Sequence, residues 1–336
     1  MIKKAIKILL WIIGIIVLVA ILFAGYIWFK YDQMEKKAGR KVEWDARNGN
    51  IIRNLKYGKG SRNTYDLFLS ANKECDALML FVHGGSWMSG KKEDIEWAAS
   101  RYAQEGYVSA TINYSRIGKD TLNLDAGNTA PSIESMMTEI DMAINTIVQD
   151  CSQHGITLTQ MAIGGYSAGG HLAMLYANRY AEDSAIPIRF QISWVGPADF
   201  TLLFPTDKEK MERIWSEDSE ENIRKRKEFQ QSMYFLNGEN IQIDSYNNIL
   251  EDSLKRNASP LYHISQNTPP TVLAYGAKDR LVSARHGELV SSSLQRIGID
   301  HRLYVFPNSG HELGGDPEYA DSVQNTILEF CQRYFK

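Results

Sequence analysis

The sequence predicts an α/β fold, a doubly wound sheet of mostly parallel strands between layers of helices. Strand-length apolar runs alternate with helix-patterned segments from residue 77 to residue 334, and parallel strands require such crossover connections. Several of these runs are apolar throughout, as expected of strands buried on both faces. A length of 336 residues with 44% apolar content is enough for one large domain plus an appendage.

The appendage is residues 1–30, which the sequence predicts to be a transmembrane anchor. Residues 8–29 carry no charge, and they lie between Lys7 and Lys30. At about 1.5 Å per residue, a helix of this length crosses a hydrocarbon core of about 30 Å. A cleaved signal peptide is the alternative, but its apolar part is usually about 7–15 residues long and ends at a small-residue cleavage site.

Residues 31–50 are polar and charged, and we expect them to form a short stalk between the membrane and the domain. Basic residues on both sides of the apolar span leave its orientation open when charges alone are counted. Because a short basic N-terminus usually stays in the cytoplasm, we expect a single-pass protein of the cell membrane whose folded domain lies outside the cytoplasm.

The folded domain is predicted to occupy residues 51–336. Residues 51–57 and 64–70 alternate like half-buried strands around a turn, which indicates an antiparallel edge of the sheet. The remaining elements follow from apolar periodicity: strands at 77–82, 107–114, 161–165, 188–195, 271–275 and 301–305, and helices at 93–105, 132–153, 168–180, 284–297 and 317–334.

The alternation of strands and helices stops between about residues 203 and 258. This stretch carries dense mixed charge, with apolar residues such as Trp215 at roughly helical intervals. We interpret it as a helical insertion. It is either a solvated excursion on the surface or a cap that covers the site and shapes a substrate pocket.

Charge and cysteine content exclude several classes of protein. A formal net charge of −3 argues against a nucleic-acid partner, which usually requires a basic face. Cys75, Cys151 and Cys331 are far apart and odd in number, so they indicate neither a disulfide framework nor a metal site. We expect buried thiols, no metal and no cofactor, and the sequence does not determine an oligomeric state.

The most informative motif is Gly165-Tyr166-Ser167-Ala168-Gly169, which lies between a predicted strand and a predicted helix. A serine on such a strand-to-helix turn is held clear of the sheet, and the flanking glycines relieve the crowding of the turn. The helix that follows directs its N-terminus at a developing negative charge. We therefore predict Ser167 to be a catalytic nucleophile.

Ser167 needs a base, and His311 is the best candidate among the seven histidines. It lies in a loop after a predicted strand, where α/β sheets place their sites. Asp279 follows another predicted strand, and its carboxylate could orient the imidazole and stabilise the imidazolium. The order Ser167, Asp279, His311 is the order that this chemistry uses on α/β sheets.

The turn His83-Gly84-Gly85-Ser86-Trp87 follows the predicted strand at 77–82. Backbone N–H groups in a glycine turn can point inward without side chains in the way. We predict that the amides of Gly85, Ser86 and Ala168 form an oxyanion hole.

These motifs together resemble the α/β-hydrolase superfamily, and within it the carboxylesterases similar to hormone-sensitive lipase and the bacterial feruloyl-esterase-like group. Other segments also look like landmarks of that family: Asn113-Tyr114-Ser115, Gly196-Pro197-Ala198-Asp199, Ser259-Pro260 and the spacing from Gly276 to Asp279 and Val282. The resemblance implies a three-layer fold around a mostly parallel eight-stranded sheet. It also implies hydrolysis of small-molecule carboxylic esters without a cofactor.

The sequence departs from the family pattern at three positions. Ser86 replaces a third glycine, and Tyr166 and His171 stand where the hormone-sensitive-lipase branch has Asp and Asn. These residues favour the feruloyl-esterase-like and formamidase-like branch. A peptidase, an aryl formamidase or a binding module that has lost its chemistry are the alternatives on the same fold.

The substrate is the least determined part of the prediction. Trp87, Tyr166 and Trp215 are candidate substrate-binding residues, although aromatic side chains in apolar stretches more often belong to a core. Saccharide, feruloyl, short-chain and lipid esters all remain open.

Overall fold

One eight-stranded sheet is the centre of the domain in the computed structural model. The structure describes residues 2–71, 76–118, 130–239 and 245–336, and it describes side chains from residue 20 onward except that of residue 248. The order across the sheet is β1-β2-β4-β3-β5-β6-β7-β8. Strand β2 is antiparallel to both neighbours, and every other neighbouring pair is parallel. The mostly parallel sheet with an antiparallel edge is confirmed. The strands are β1 Gly49–Lys56, β2 Thr64–Ser70, β3 Ala77–Val82, β4 Val108–Ile112, β5 Gln160–Tyr166, β6 Ile188–Trp194, β7 Thr271–Gly276 and β8 His301–Phe306.

Helices cover both faces of this sheet. In β3, Leu78 and Leu80 pack with helices on one face, while Met79 and Phe81 pack with helices on the other. This alternation is the two-residue period of a strand, and it divides the interior into two apolar layers. The covering helices are α2 Glu96–Gln104, α3 Ile133–Gln153, α4 Ala168–Arg179, α9 Arg285–Ile297 and α10 Pro317–Tyr334, with α2 and α10 on one face and α3, α4 and α9 on the other.

In the described residues between β6 and β7, four α-helices lie in the stretch predicted to be a helical insertion. Each begins at a residue whose side chain accepts a hydrogen bond from a backbone amide of the first turn. Residues 240–244 lie outside the described part of the chain. The helices are α5 Phe200–Leu203, α6 Lys208–Ser216, α7 Glu220–Asn237 and α8 Asn248–Asn257.

The N-terminal segment forms helix α1, Ile2–Lys37. In the portion of the chain that the structure describes, no helix is both long enough and apolar enough to cross a membrane. The predicted transmembrane helix over residues 8–29 is therefore not supported, and the side chains of residues 8–19 lie outside the described set.

Residues 31–50, which the sequence predicts to be a short stalk, contact the domain at several positions. Ala38 is buried, the guanidinium of Arg101 donates a 2.6 Å hydrogen bond to the carbonyl of Gly39, and the ring of Trp44 packs edge-on against Phe68. Residues 49 and 50 already belong to β1. These contacts hold the segment against the domain, which composition alone does not reveal.

Candidate active site

Ser167 occupies a strained turn between β5 and α4. Its backbone has φ 54° and ψ −121°, a conformation that is costly for a residue with a Cβ. The flanking positions must be glycine because a side chain there would collide with the neighbouring backbone. A Cβ at Gly165 would lie 2.3 Å from the backbone of Gly169, and one at Gly169 would lie 2.0 Å from the carbonyl oxygen of Val82. The turn holds the hydroxyl beyond the end of β5.

Three side chains that are distant in sequence form one hydrogen-bonded chain. The Oγ atom of Ser167 is 2.9 Å from Nε2 of His311, and Nδ1 of His311 is 2.7 Å from Oδ2 of Asp279. Because an ionised carboxylate only accepts, the imidazole carries its proton on Nδ1 and leaves Nε2 free to accept from the serine hydroxyl. This is the arrangement in which a histidine can act as a general base.

The Asp279 carboxylate is fixed on both of its oxygens. Its side chain is fully buried, and Oδ1 accepts hydrogen bonds of 2.7 and 2.9 Å from the amides of Leu281 and Val282. Burial alone would raise the pKa of Asp279, but the hydrogen bonds from His311 and these amides outweigh it and hold the pKa below its ordinary value. The carboxylate therefore stays negative opposite the imidazole.

The loop that carries His311 follows β8 and is tied to the domain by a buried aspartate. Asp316 accepts a 2.7 Å hydrogen bond from the hydroxyl of Ser309 and a 2.9 Å bond from the amide of Asn308. Asp316 is only 1% exposed and lies outside the serine, histidine and aspartate chain. Sequence reasoning gave it no role, because nothing in the spacing shows that it closes this loop.

The predicted oxyanion hole has the backbone that such a site needs. Gly85 has φ 115°, and a Cβ there would lie 2.3 Å from the carbonyl oxygen of Ser89. Ser86 follows with φ 52°. Among the hydrogen bonds formed by the described residues, none uses the amide of Gly85, Ser86 or Ala168 as donor. Three amides are thus free to donate to a ligand.

A cavity of about 1010 Å³ opens at Ser167 and extends beneath the inserted helices. Ser86, Ala168 and His311 line it together with Ser167. The helical insertion, called the cap below, contributes most of the other lining residues. Apolar side chains among these are Leu203, Phe204, Met211, Ile214, Phe229, Met233, Phe235 and Leu236.

Comparison with known families identifies the family of the chain. The family model described as BD-FAE matches residues 65–294, which include the glycine turn, Ser167 and Asp279. The chain belongs to the BD-FAE family. The resemblance to α/β-hydrolase carboxylesterases is thereby confirmed, and the match ends before His311.

Curated relatives of this BD-FAE chain include proteins named as esterases and proteins named as kynurenine formamidases. Esterase LipQ of Mycobacterium tuberculosis is 24% identical over 269 residues, covering 76% of this chain and 56% of LipQ. The probable isoprenylcysteine alpha-carbonyl methylesterase ICME of Oryza sativa subsp. japonica is 28% identical over 146 residues, covering 43% of this chain and 32% of the relative. The chain thus spans between about a third and just over half of these two relatives.

Solved structures support the same fold. A truncated carbohydrate esterase from gut microbiota superimposes with a TM-score of 0.65 at 14% sequence identity, covering 87% of this chain and all of that one. At that identity the likeness concerns the fold alone. The BD-FAE chain therefore has the three-layer α/β-hydrolase architecture.

The three candidate substrate-binding residues have different surroundings. Trp87 lines the cavity, while its indole nitrogen donates a 3.3 Å hydrogen bond to Nδ1 of His171. Trp215 packs edge-on against Phe229 inside the cap and is absent from the described cavity lining, because the cap has a small aromatic cluster of its own. Tyr166 is also absent from that lining, since its hydroxyl turns to the main chain of His311.

Proposed function

We propose that the chain is a serine esterase that hydrolyses carboxylic esters through Ser167, His311 and Asp279. The observation that carries the proposal is the continuous hydrogen-bonded chain from Ser167 through His311 to Asp279 at the mouth of the cavity. The three unpaired amides beside Ser167 and the esterase names of two relatives, LipQ and ICME, support it.

The first half of the reaction forms an acyl-enzyme. His311 takes the hydroxyl proton of Ser167 as its oxygen attacks the ester carbonyl, and the tetrahedral oxyanion accepts hydrogen bonds from the amides of Gly85, Ser86 and Ala168. The C–O bond to the alcohol then breaks, and the imidazolium of His311 gives its proton to the leaving oxygen. Asp279 stabilises that imidazolium and keeps Nδ1 protonated.

The second half releases the acid. His311 removes a proton from water, the hydroxide attacks the acyl carbon, and the same amides hold the second oxyanion. The bond from carbon to the Ser167 oxygen breaks, and the proton returns to that oxygen. No redox step or external cofactor is needed for the balance of atoms and charge.

The cavity supports an ester with a sizeable apolar part. Its volume of about 1010 Å³ lies at the upper end of common ligand sites, which are roughly 300–1,000 Å³. Met211, Met233 and Phe235 give it an apolar wall, and methionine adapts to ligands of different shape. We propose that this wall receives the acyl chain or an aryl group.

The test is hydrolysis of p-nitrophenyl esters from acetate to dodecanoate by the full chain, with Ser167→Ala as the matched control. The proposal expects hydrolysis that depends on Ser167, with activity extending to medium-length chains. Including a p-nitroanilide and an aryl formamide in the panel tests the peptidase and formamidase alternatives. Equal background rates for both proteins, together with no labelling by a fluorophosphonate, would contradict the proposal and favour a binding module.

The location at the cell membrane stays a proposal from the sequence. It rests on the uncharged residues 8–29 between lysines, and the exposed apolar side chains of Ile21, Leu22, Phe23 and Trp28 on α1 agree with it. Fractionation of cells that express the full chain tests it. Retention in the membrane pellet after an alkaline carbonate wash is expected, and release into the supernatant would contradict it. Protease added to intact cells then tests the expected orientation, with the domain outside the cytoplasm.

A further inference from the structure

Tyr166, the residue immediately before the nucleophile, contacts the main chain of the proposed catalytic histidine. Its hydroxyl donates a 2.5 Å hydrogen bond to the carbonyl oxygen of His311. Its ring lies edge-on to the imidazole, with centroids 6.0 Å apart and an interplanar angle of 83°. Burial raises the pKa of Tyr166, so its hydroxyl stays protonated and remains a donor.

Arg40 lies over the ring of Tyr166, although it comes from the segment that follows α1. Its guanidinium carbon is 5.0 Å from the ring centroid, a cation–π geometry. The same guanidinium is 2.6 Å from a carboxylate oxygen of Glu35 and 3.0 Å from one of Glu312, the neighbour of His311. Arg40 thus contacts the histidine loop both through Glu312 and through Tyr166.

The guanidinium of Arg40 is buried, which is unusual for a charged side chain. The side chain of Arg40 is only 7% exposed, and a buried charge is tolerated only when it is paired. Arg40, Tyr166 and Glu312 line a small cavity of about 10 Å³ together with mostly apolar residues. That volume is at the lower limit for one water molecule.

The end of α1 also contacts the histidine loop directly. A Cβ at Gly314 would lie 2.5 Å from the side chain of Met34 and 3.1 Å from its carbonyl oxygen, so the helix and the loop are in close contact there. Asp316 ties the loop at Ser309 and Asn308. The loop that carries His311 is therefore held by two sets of contacts, the hydrogen bonds of Asp316 within the loop and the packing of the N-terminal segment against Gly314.

We propose that Tyr166 and Arg40 are positioning residues for His311, and that the segment joining α1 to the domain is part of the structure that aligns the base with Ser167. This inference rests on the proposed function. A general base must be held within about 0.5 Å of its productive position, and a misplacement of about 1 Å can cost about 10²-fold in rate. The hydroxyl of Tyr166 restrains the backbone of His311 itself.

The experiment compares the full chain with Tyr166→Phe, Arg40→Lys and Arg40→Ala. Tyr166→Phe removes one hydroxyl and keeps the ring, and Arg40→Lys keeps the charge but loses the planar fork. Arg47→Ala is the matched control, because Arg47 belongs to the same segment and pairs with Asp45 but has a side chain 90% exposed. The readouts are the second-order rate of fluorophosphonate labelling at Ser167, kcat and KM for a p-nitrophenyl ester, and Tm.

We expect Tyr166→Phe to lower both the labelling rate and kcat by about tenfold with KM unchanged, and Arg47→Ala to match the wild type. Arg40→Lys should fall between the wild type and Arg40→Ala. If both residues act through the histidine loop, the double variant Arg40→Ala/Tyr166→Phe should lose less than the product of the two single losses. Where Arg40→Ala does not fold, Tyr166→Phe and Arg40→Lys decide the outcome.

The failures of the two proposals are distinguishable. If the wild-type chain and Ser167→Ala are equally unreactive towards the fluorophosphonate, the proposed function fails and this inference fails with it. If the wild type labels at Ser167 while Tyr166→Phe and Arg40→Lys label at the same rate, only the positioning roles are overturned. A loss of kcat that is fully accounted for by loss of folded protein would overturn them as well.

Discussion

The hydroxyl oxygen of Ser167 lies 2.9 Å from Nε2 of His311, although 144 positions separate the two residues in the chain. The contact exists because β5 and β8 are parallel members of one sheet and both side chains follow the carboxyl ends of their strands. The fold thus places the proposed nucleophile and the proposed base at the same edge of the sheet.

Replacing Asp279 by Asn should abolish most of the activity without unfolding the domain. The amide keeps the shape but no longer accepts the Nδ1 proton as a carboxylate does, so His311 loses its orientation and its counter-charge. We expect kcat to fall by about 10⁴-fold while Tm changes little. The exposed Asp321→Asn is the control, and steady-state kinetics of both variants provide the measurement. A loss of less than tenfold in Asp279→Asn would argue against its role.

Substituting Gly85 by Ala should damage the oxyanion hole more than it damages the fold. Gly85 and Gly106 have similar backbone angles, φ 115° and 101°, but a Cβ at Gly85 meets the backbone of Ser89 whereas a Cβ at Gly106 meets nothing within 4 Å. We expect Gly85→Ala to lower kcat by about 10²–10³-fold. Gly106→Ala should lower Tm and leave kcat unchanged. Equal kcat in the two variants would show that displacing this turn does not matter for the reaction.

Filling the cap side of the cavity should shorten the preferred ester chain. Met211 lines the cavity from α6, while Ile223 on α7 is 56% exposed and absent from the described lining. We expect Met211→Trp to reduce kcat/KM for a decanoate relative to an acetate by roughly tenfold. Ile223→Trp should leave that ratio unchanged. The prediction is contradicted if the two variants give the same chain-length profile.

Acid should destabilise the domain through its buried histidines. His171 is fully buried, Nε2 is 2.7 Å from the carbonyl oxygen of Ala258, and Nδ1 accepts from Trp87. Burial lowers the pKa of His171 to about 4 and that of His286 to about 4. Between the ordinary histidine pKa of about 6.5 and about 4, the unfolded chain binds protons that the folded chain does not, so the free energy of unfolding falls as pH falls.

This acid sensitivity can be assigned to one residue by comparing Tm at pH 7 and pH 5. A glutamine at position 171 can supply both an amide donor and a carbonyl acceptor, and it does not titrate. His171→Gln should therefore lose less Tm between the two pH values than the wild type does. An equal loss in both proteins would mean that His171 does not contribute to the pH dependence.

Much of the fold and the arrangement of the site could be predicted from the sequence, because the patterns that predict each element lie within short stretches of the chain. Runs such as Ala77–Val82 and Thr271–Gly276 carry their strand pattern within a few residues. Once the strands are taken as parallel, the positions of Ser167, Asp279 and His311 after strand ends predict a common edge. The glycine turn could also be predicted, because a backbone conformation that only glycine adopts easily is marked by glycines in the sequence.

What could not be predicted depends on contacts between distant segments. Arg40 belongs to a charged stretch, and such stretches are usually solvated, so only the fold shows that its guanidinium is buried against Tyr166 and Glu312. Tyr166 is a candidate substrate-binding residue in the sequence, whereas the path of the histidine loop determines where its hydroxyl points. Trp215 packs against Phe229 in the cap, a contact that the sequence does not show.

The most direct test of the central claim is whether the full chain forms a covalent adduct at Ser167 in a manner that depends on His311. The chain is incubated with a fluorophosphonate, and the modified peptide is identified by mass spectrometry for the wild type, His311→Ala and Ser167→Ala. The account predicts one adduct per chain on Ser167 in the wild type, much slower labelling in His311→Ala and none in Ser167→Ala. An unmodified Ser167 in the wild type, or labelling at an equal rate without His311, would contradict it.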